Sequence, residues 1–359
     1  MDITKKRSFG IDIIKSLAIF SVINLHFFLH TKFYSTPIIS KSMFIQSLLR
    51  WFFMSAVPLF ILATGYLQNK KEISKKFYCG IFRIIVVFLL ISVIYLIFSI
   101  CVFNNKYTVV SAIHAVFSFD SHYGWYVNMF IGLFLLIPFL NLSINSLSKK
   151  QFELFILILT FLISISTTIN SILNLAAPIN IISLPDWWSY IYPLLYYFLG
   201  AYIYKYRPHV NKLIGSAVII LLLFVQTACL IWVNAASKLN NWFLSDYSSL
   251  FIVLQSVCIF LLLYDIDVNN KFVKSGIEKI SSLTLEMYLL SYFFDMIFYK
   301  CLPSVKECAD QQEVFRRYYL LFMPAVFIAS FISAVIFRFI YNQALILINR
   351  FKRKAFAVK

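Results

Sequence analysis

The stretch GIDIIKSLAIFSVINLHFFLH, from Gly10 to His30, is long and apolar enough to cross a membrane. A helix needs about 20 apolar residues to span the hydrocarbon core of a bilayer. Only two side chains of this stretch carry a full charge, Asp12 and Lys15. The stretch is too long for the apolar part of a secretory signal peptide, and no small-residue cleavage site follows it. The sequence therefore predicts a membrane span that is retained in the protein.

The rest of the chain is equally apolar. Of its 359 residues, 61% are hydrophobic and 13% are charged, whereas a soluble domain carries about 25% charged residues. We therefore predict an all-α, polytopic membrane protein and interpret residues 1–359 as one integral membrane domain. Ten stretches qualify as spans, at about 10–30, 44–67, 81–103, 125–146, 152–172, 188–205, 212–234, 248–265, 282–300 and 318–341.

The positions of lysine and arginine predict the orientation of these spans. Positive residues concentrate in cytoplasmic loops, and the net charge of the chain is +17. With the amino terminus inside, every short inner loop is basic, and the outer loop 173–187 contains neither Lys nor Arg. Ten spans then place both termini in the cytoplasm. Because orientation accounts for the positive charge, we expect the lipid bilayer as a partner and no nucleic acid.

Lys15 and His26 are the most informative polar residues of the first span. They are eleven residues apart, which is about three helical turns, so they share one helix face at depths about 16 Å apart. In one interpretation, Lys15 reaches the inner headgroups and His26 lies at the outer interface. In the other, the cation holds a phosphate of a long anionic ligand and the imidazole acts as a base. Asp12, three residues before Lys15, can neutralise its charge.

Other polar or helix-breaking residues also fall inside predicted spans. Pro58 and Gly65 share the second span and predict a kink and a close approach of another helix. Arg83 lies a little inside the third span. Glu286 and Asp295 are nine residues apart in the ninth span and face opposite sides of the helix. Both carboxyl groups serve either helix–helix hydrogen bonding or function.

The six cysteines predict no metal site, because no C-x-x-C pair occurs. Cys301 and Cys308 share one predicted outer loop. They form either a disulfide there or two separate thiols.

Several segments occur in an order that matches a known family. They are IDIIKSLAIFSVINLH, in which a basic residue precedes a histidine by eleven positions, and VPLFILATGYL, GWYVNMFIGLFLLIPF, YFLGAYIYKY and SLTLEMYLLS. Together they cover nearly the whole chain and resemble the acyltransferase-3 family of bacterial membrane proteins, which O-acylate cell-surface glycans and related molecules. Two positions depart from the family pattern. Gly80 stands where the first of two arginines often precedes Arg83, and Lys75 and Lys76 are the candidate substitutes. Ser291 stands where a late histidine is usual, so a second histidine takes part only if His30, His114 or His122 replaces it.

The resemblance implies ten helices around a pore-like cavity that admits acyl-CoA from the cytoplasm. Lys15, Arg83 and Lys76 are then expected to bind the phosphates of the donor. His26 is expected to act as a general base on the acceptor hydroxyl or to carry an acyl intermediate.

The remaining site assignments also rest on the resemblance. Asp12 and Glu286 join the catalytic set, and Asp12 is expected to hold Lys15 in place. The acceptor side is assigned to Trp125, Tyr126, Ser291 and Asp295. Trp125 and Tyr126 stack on a sugar ring in this interpretation, although an interfacial aromatic belt accounts for them equally well.

The implied reaction moves an acyl group, most simply acetyl, from acetyl-CoA to a hydroxyl of a surface glycan or of its lipid-linked precursor. It takes place at the bacterial cell membrane and requires no permanently bound cofactor. Two alternatives stay open. A glycan transporter or flippase predicts paired half-repeats with broken helices, which we do not find. A polysaccharide polymerase predicts a large outer loop, whereas the longest ones, 104–124 and 301–317, hold only about 20 residues.

Overall fold

The computed structural model describes residues 7–118, 123–176, 184–236, 246–301, 308 and 310–357, and every regular element of this part is helical. Its α-helices are α1 (Phe9–His30), α2 (Lys41–Phe53), α3 (Ala56–Gln68), α4 (Lys75–Phe103), α5 (Val109–Phe117), α6 (Trp125–Ser146), α7 (Lys149–Thr160), α8 (Ser166–Ala176), α9 (Tyr192–Tyr206), α10 (Lys212–Ala236), α11 (Leu250–Leu263), α12 (Lys271–Ser282), α13 (Thr284–Met296) and α14 (Gln311–Ala357). A π-helical turn, Phe161–Ile165, joins α7 to α8, and a second, Ile297–Cys301, extends α13. Two short 3₁₀ helices occupy Phe33–Ser35 and Asp186–Ile191.

Seven helical segments of the described residues are long and apolar enough to cross a membrane. They are Phe9–His30, Lys41–Gln68, Lys75–Phe103, Trp125–Ser146, Lys149–Ile172, Lys212–Asn234 and Gln311–Arg350. The prediction of an all-helical, multi-pass membrane protein is therefore confirmed. The other three predicted spans, 188–205, 248–265 and 282–300, contain α9, α11 and α13, which have 15, 14 and 13 residues. Counted as α-helices alone they are shorter than the length that crosses a bilayer unaided, although the 3₁₀ helix Asp186–Ile191 leads directly into α9 and a π-helical turn extends α13. The count of ten spans is therefore not confirmed.

The helices differ in how far other helices of the bundle cover them. Buried residues make up 72% of the apolar window in α1 and in the α2–α3 segment, but only 28–39% in α4, α6, α7–α8, α10 and α14. A helix that is apolar on all sides and only one-third buried presents the rest of its surface to lipid. α1 is central because it contacts α2, α3, α12, α13 and α14. Polar residues of α1 therefore face protein.

Helices α3 and α9 pack closely against each other and meet at two glycines. A Cβ atom added to Gly65 would collide with the backbone carbonyl of Tyr197, and one added to Gly200 would collide with that of Leu62. Small residues let helix backbones approach within a membrane, where dispersion contacts replace the hydrophobic effect. The close approach predicted from Gly65 is confirmed.

The kink predicted from Pro58 is a full break between α2 and α3 at Met54 and Ser55. The Ser55 hydroxyl donates to the Phe52 carbonyl at 2.6 Å, which satisfies one backbone group at the end of α2. Pro58 is the third residue of α3, where a backbone N–H would have no partner within the helix, so proline costs little there.

Two helices occupy segments that the span prediction leaves as loops. α5 lies within the outer segment 104–124 and begins with a capping box between Thr108 and Ser111. α12 lies between α11 and α13, and its N-cap Asn270 accepts from two backbone N–H groups. Both helices are too short or too polar to cross a membrane. The two alternatives for Cys301 and Cys308, a disulfide or two separate thiols, involve a side chain outside the described residues and stay untested.

Candidate functional site

His26 on α1 lies against Asp295 on α13 in the interior of the bundle. Only 8% of His26 is exposed, and Asp295 is fully buried. The distance between His26 Nδ1 and Asp295 Oδ2 is 3.1 Å, which is an ion-pair distance. The contact does not meet the criteria for a hydrogen bond, and His26 Nδ1 has no hydrogen-bond partner among the described residues. Asp295 Oδ1 has none there either. Such bonds often align only when substrate binds.

The carboxylate that faces Nδ1 identifies Nε2 as the working nitrogen of His26. A carboxylate beside one ring nitrogen favours a proton there and leaves the lone pair on the other. It also stabilises the imidazolium that forms when that lone pair accepts a proton. The pair can thus perform general base chemistry.

Tyr123, in the loop before α6, covers the His26 ring. The two rings stack with centroids 3.8 Å apart. The Tyr123 hydroxyl donates to Asp295 Oδ2 at 2.9 Å and lies 2.6 Å from Nε2 of His30. Burial, and then the neighbouring Asp295, raise the pKa of Tyr123 well above its usual value. Its phenol is therefore neutral and acts as a donor.

An apolar cavity of about 240 Å³ has both Lys15 of α1 and Tyr288 of α13 in its lining. Val22, which lies between Lys15 and His26 in the sequence of α1, also lines it, whereas His26 and Asp295 are not among its lining residues. Tyr288 is also near the site: its ring centroid is 6.4 Å from that of His26, and its hydroxyl donates to the Tyr123 carbonyl at 2.5 Å. The other lining residues come from α3, α4, α6 and α13 and include Phe60, Thr64, Gln68, Ile84, Tyr126, Phe130, Thr284 and Leu285.

Lys15 makes no ion pair and no hydrogen bond with any residue that the structure describes. The contact expected between Asp12 and Lys15 is replaced by another. Arg7 binds both oxygens of Asp12, at 2.6 and 2.9 Å, and Ser281 donates to Asp12 at 2.5 Å. The hydrogen bond to Asp12 raises the pKa of Arg7. Asp12 thus fastens the start of α1 to the end of α12, and the ammonium group of Lys15 stays available for a ligand.

Glu286 is held by two arginines from different helices. Arg338 of α14 contacts its Oε1 through Nε at 2.8 Å and through Nη2 at 2.5 Å, and Arg83 of α4 lies 3.8 Å away. Glu286 is almost fully buried, while the Arg83 side chain is 53% exposed. Glu286 follows Thr284 and Leu285, which line the cavity, on α13. The carboxylate therefore gathers two guanidinium groups close to the cavity lining.

The other predicted site residues lie in separate places. Tyr126 lines the cavity, and Trp125 stacks on Tyr247 with centroids 6.0 Å apart. Ser291 is fully buried and donates to the Tyr288 carbonyl of its own helix at 2.8 Å. Lys76 is exposed at the start of α4. The structure thus brings His26 and Asp295 together, and it groups Arg83 with Glu286.

Two residues of this site, Tyr123 and Arg338, have no role in the sequence-based prediction, and His30 appears there only as one of three histidines that could replace the late histidine. His30 is four residues after His26, a spacing that places both on one helix face and was a usable signal. Arg338 lies within the last predicted span, 318–341, close to its end, and an arginine inside a span usually has an acidic partner. Tyr123 carries no signal in sequence, since it lies in a loop.

Comparison with known proteins gives one match. A family described as an acyltransferase domain, of the acyltransferase-3 type, matches residues 8–340. No curated protein and no solved structure matches the chain.

Proposed function

Because the chain belongs to the acyltransferase-3 family and is a membrane acyltransferase, we propose that it moves an acyl group from cytoplasmic acyl-CoA to a hydroxyl of a cell-surface glycan or of its lipid-linked precursor. Acetyl is the acyl group proposed, with acetyl-CoA as co-substrate. The observation that carries the proposal is the cavity whose lining includes both the unpaired Lys15 and Tyr288, the ring of which lies near that of His26.

The donor is proposed to enter at the inner end of this cavity. Phosphate groups prefer cationic side chains, and Lys15, Arg83 and Lys76 are the candidates there. Lys15 and His26 lie about 16 Å apart along α1, so a donor held by Lys15 needs a long, uncharged arm to bring its thioester to His26. The pantetheine arm of coenzyme A is such a group, and the apolar lining of the cavity suits it.

The proposed chemistry uses His26 as the base. Nε2 takes the proton of the acceptor hydroxyl while the hydroxyl oxygen attacks the thioester carbonyl carbon. The tetrahedral intermediate then breaks its carbon–sulfur bond, and the departing thiolate takes the proton back from Nε2. The products are the acyl ester and free coenzyme A, and Asp295 stabilises the imidazolium between the two steps. In the second route, Nε2 attacks the thioester carbonyl carbon and the carbon–sulfur bond breaks, which releases coenzyme A as its thiolate. The acceptor hydroxyl then attacks the acyl-imidazole, Nε2 is released, and the proton of the hydroxyl passes to the thiolate.

The acceptor is proposed to approach from the outer side. Trp125 stacks on Tyr247 and is partly exposed, and it is proposed to present its free face to a sugar ring. Tyr126, Ser291 and Asp295 are assigned to the same side. This arrangement requires the orientation deduced from the basic loops, with ten crossings, both termini in the cytoplasm and the protein in the bacterial cytoplasmic membrane.

The test compares surface glycans of cells that carry the gene with those of a deletion strain. NMR spectroscopy or mass spectrometry detects O-acyl groups that mild base removes. We expect the deletion to remove the acyl groups and to leave the glycan. Loss or shortening of the whole glycan would contradict the proposal and favour a transporter or a polymerase.

A further inference from the structure

Tyr123 has an unusual backbone. Its φ angle is 63°, in the left-handed region that residues with a side chain rarely adopt. The Tyr288 hydroxyl holds the Tyr123 carbonyl at 2.5 Å, which stabilises this conformation. Strained residues that the surrounding structure holds in place cluster at functional sites. The strained backbone therefore indicates that the position of the Tyr123 side chain matters for function.

Both parts of the Tyr123 side chain contact the His26–Asp295 pair. The ring lies parallel to the His26 imidazole, with 25° between the planes and 3.8 Å between the centroids. The hydroxyl donates to Asp295 Oδ2, the same oxygen that faces His26 Nδ1. One tyrosine thus limits the movement of both the imidazole and the carboxylate.

His30 fixes the direction of the Tyr123 hydroxyl. The single proton of the phenol is used on Asp295, so at 2.6 Å the oxygen must accept from Nε2–H of His30. The His30 ring is itself stacked on Tyr299 at 5.4 Å. His30, Tyr123, Asp295 and His26 therefore form one connected line of side chains on three parts of the chain.

We propose that Tyr123 is the positioning residue of the His26–Asp295 pair and that His30 acts through Tyr123, so that the four side chains work as one unit. The proposal rests on the function proposed above, in which His26 is the base. Tyr123 itself touches neither donor nor acceptor in this account. Its removal leaves the binding of acetyl-CoA unchanged and slows the transfer step.

The experiment uses membrane vesicles that hold the full chain and the cell's own glycan acceptor, with radiolabelled acetyl-CoA. Tyr123→Phe keeps the ring and removes the hydroxyl. We expect kcat to fall about tenfold to a hundredfold, the range for losing a hydrogen bond to a charged group. We expect the KM for acetyl-CoA to stay within about twofold, because binding is untouched. The matched control is Tyr319→Phe. It removes a hydroxyl that α14 uses to bind Asn24 on α1, the helix that carries His26, and it should leave kcat unchanged.

His30 variants test the connection. We expect His30→Leu to lower kcat, and His30→Gln, whose amide can still donate, to restore much of it. In the Tyr123→Phe background, His30→Leu should have no further effect, because residues that act through one another are not additive. Independent, additive losses would overturn the proposal, and so would an unchanged kcat in Tyr123→Phe. If the unaltered protein transfers no label from acetyl-CoA, the proposed function fails instead.

Discussion

The variant Asp295→Asn gives the sharpest prediction about the site. Asparagine has the size of aspartate but no charge, so it removes the group that stabilises the His26 imidazolium. Unit charges 3.1 Å apart attract by about 5 kcal/mol at an effective dielectric constant of about 20. Part of this attraction remains as a dipole contact with the amide. We therefore expect kcat to fall by about 10²- to 10⁴-fold.

The assay is the initial rate of label transfer from acetyl-CoA to glycan in membrane vesicles, normalised to the amount of protein. Glu153→Gln serves as the matched control, because it removes a carboxylate that is 46% exposed on α7, where charge contributes little. The variant and the control should reach equal abundance in the membrane. A rate for Asp295→Asn within about threefold of the unaltered protein would refute the electrostatic role.

Three further predictions test Lys15, the contact between Arg338 and Glu286, and the packing of α3 against α9. Lys15→Ala should raise the KM for acetyl-CoA about tenfold and Lys15→Arg should preserve it, whereas equal losses would indicate a packing role. Arg338→Gln should lower the free energy of unfolding by about 3–5 kcal/mol, because it leaves Glu286 buried without its closest partner. The loss is measured as a lower abundance of the protein in the membrane. The added change Glu286→Gln should restore that abundance. Gly200→Leu should separate α3 from α9 and lower the thermal midpoint in detergent, while Gly132→Leu, with open space around its Cβ, should leave it unchanged.

The sequence predicts most of the fold, because its signals there are local. Hydropathy identifies the helical segments, since each must satisfy its own backbone in lipid. Pro58 and Gly65 indicate the break and the close crossing. α5 and α12 escape the prediction because their sequences are short and amphipathic. Hydropathy also cannot decide whether α9, α11 and α13 cross the membrane, since each is shorter than a bilayer is thick.

The site is less predictable, because its contacts join distant parts of the chain. Helical spacing places Lys15 and His26 on one face of α1. In the structure, Lys15 lines the cavity, and so does Tyr288, whose ring lies near that of His26. The spacing of Glu286 and Asp295 shows that they serve different places. It does not show that Asp295 meets His26, because that contact depends on the relative depth of α1 and α13. The partners of Asp12 are missed for a similar reason. Lys15 is the nearest positive charge expected on the same helix face, but it lines the cavity, and Arg7 and Ser281 bind the carboxylate instead.

The central claim is that His26 is the base in acyl transfer from acetyl-CoA. Its most direct test is transfer of radiolabel from acetyl-CoA to base-labile esters on glycan, in vesicles with the unaltered protein and with His26→Ala. Equal abundance of the two proteins in the membrane controls for folding. We expect transfer by the unaltered protein and a loss of at least about 10²-fold in the variant. Transfer by His26→Ala at an undiminished rate would contradict it.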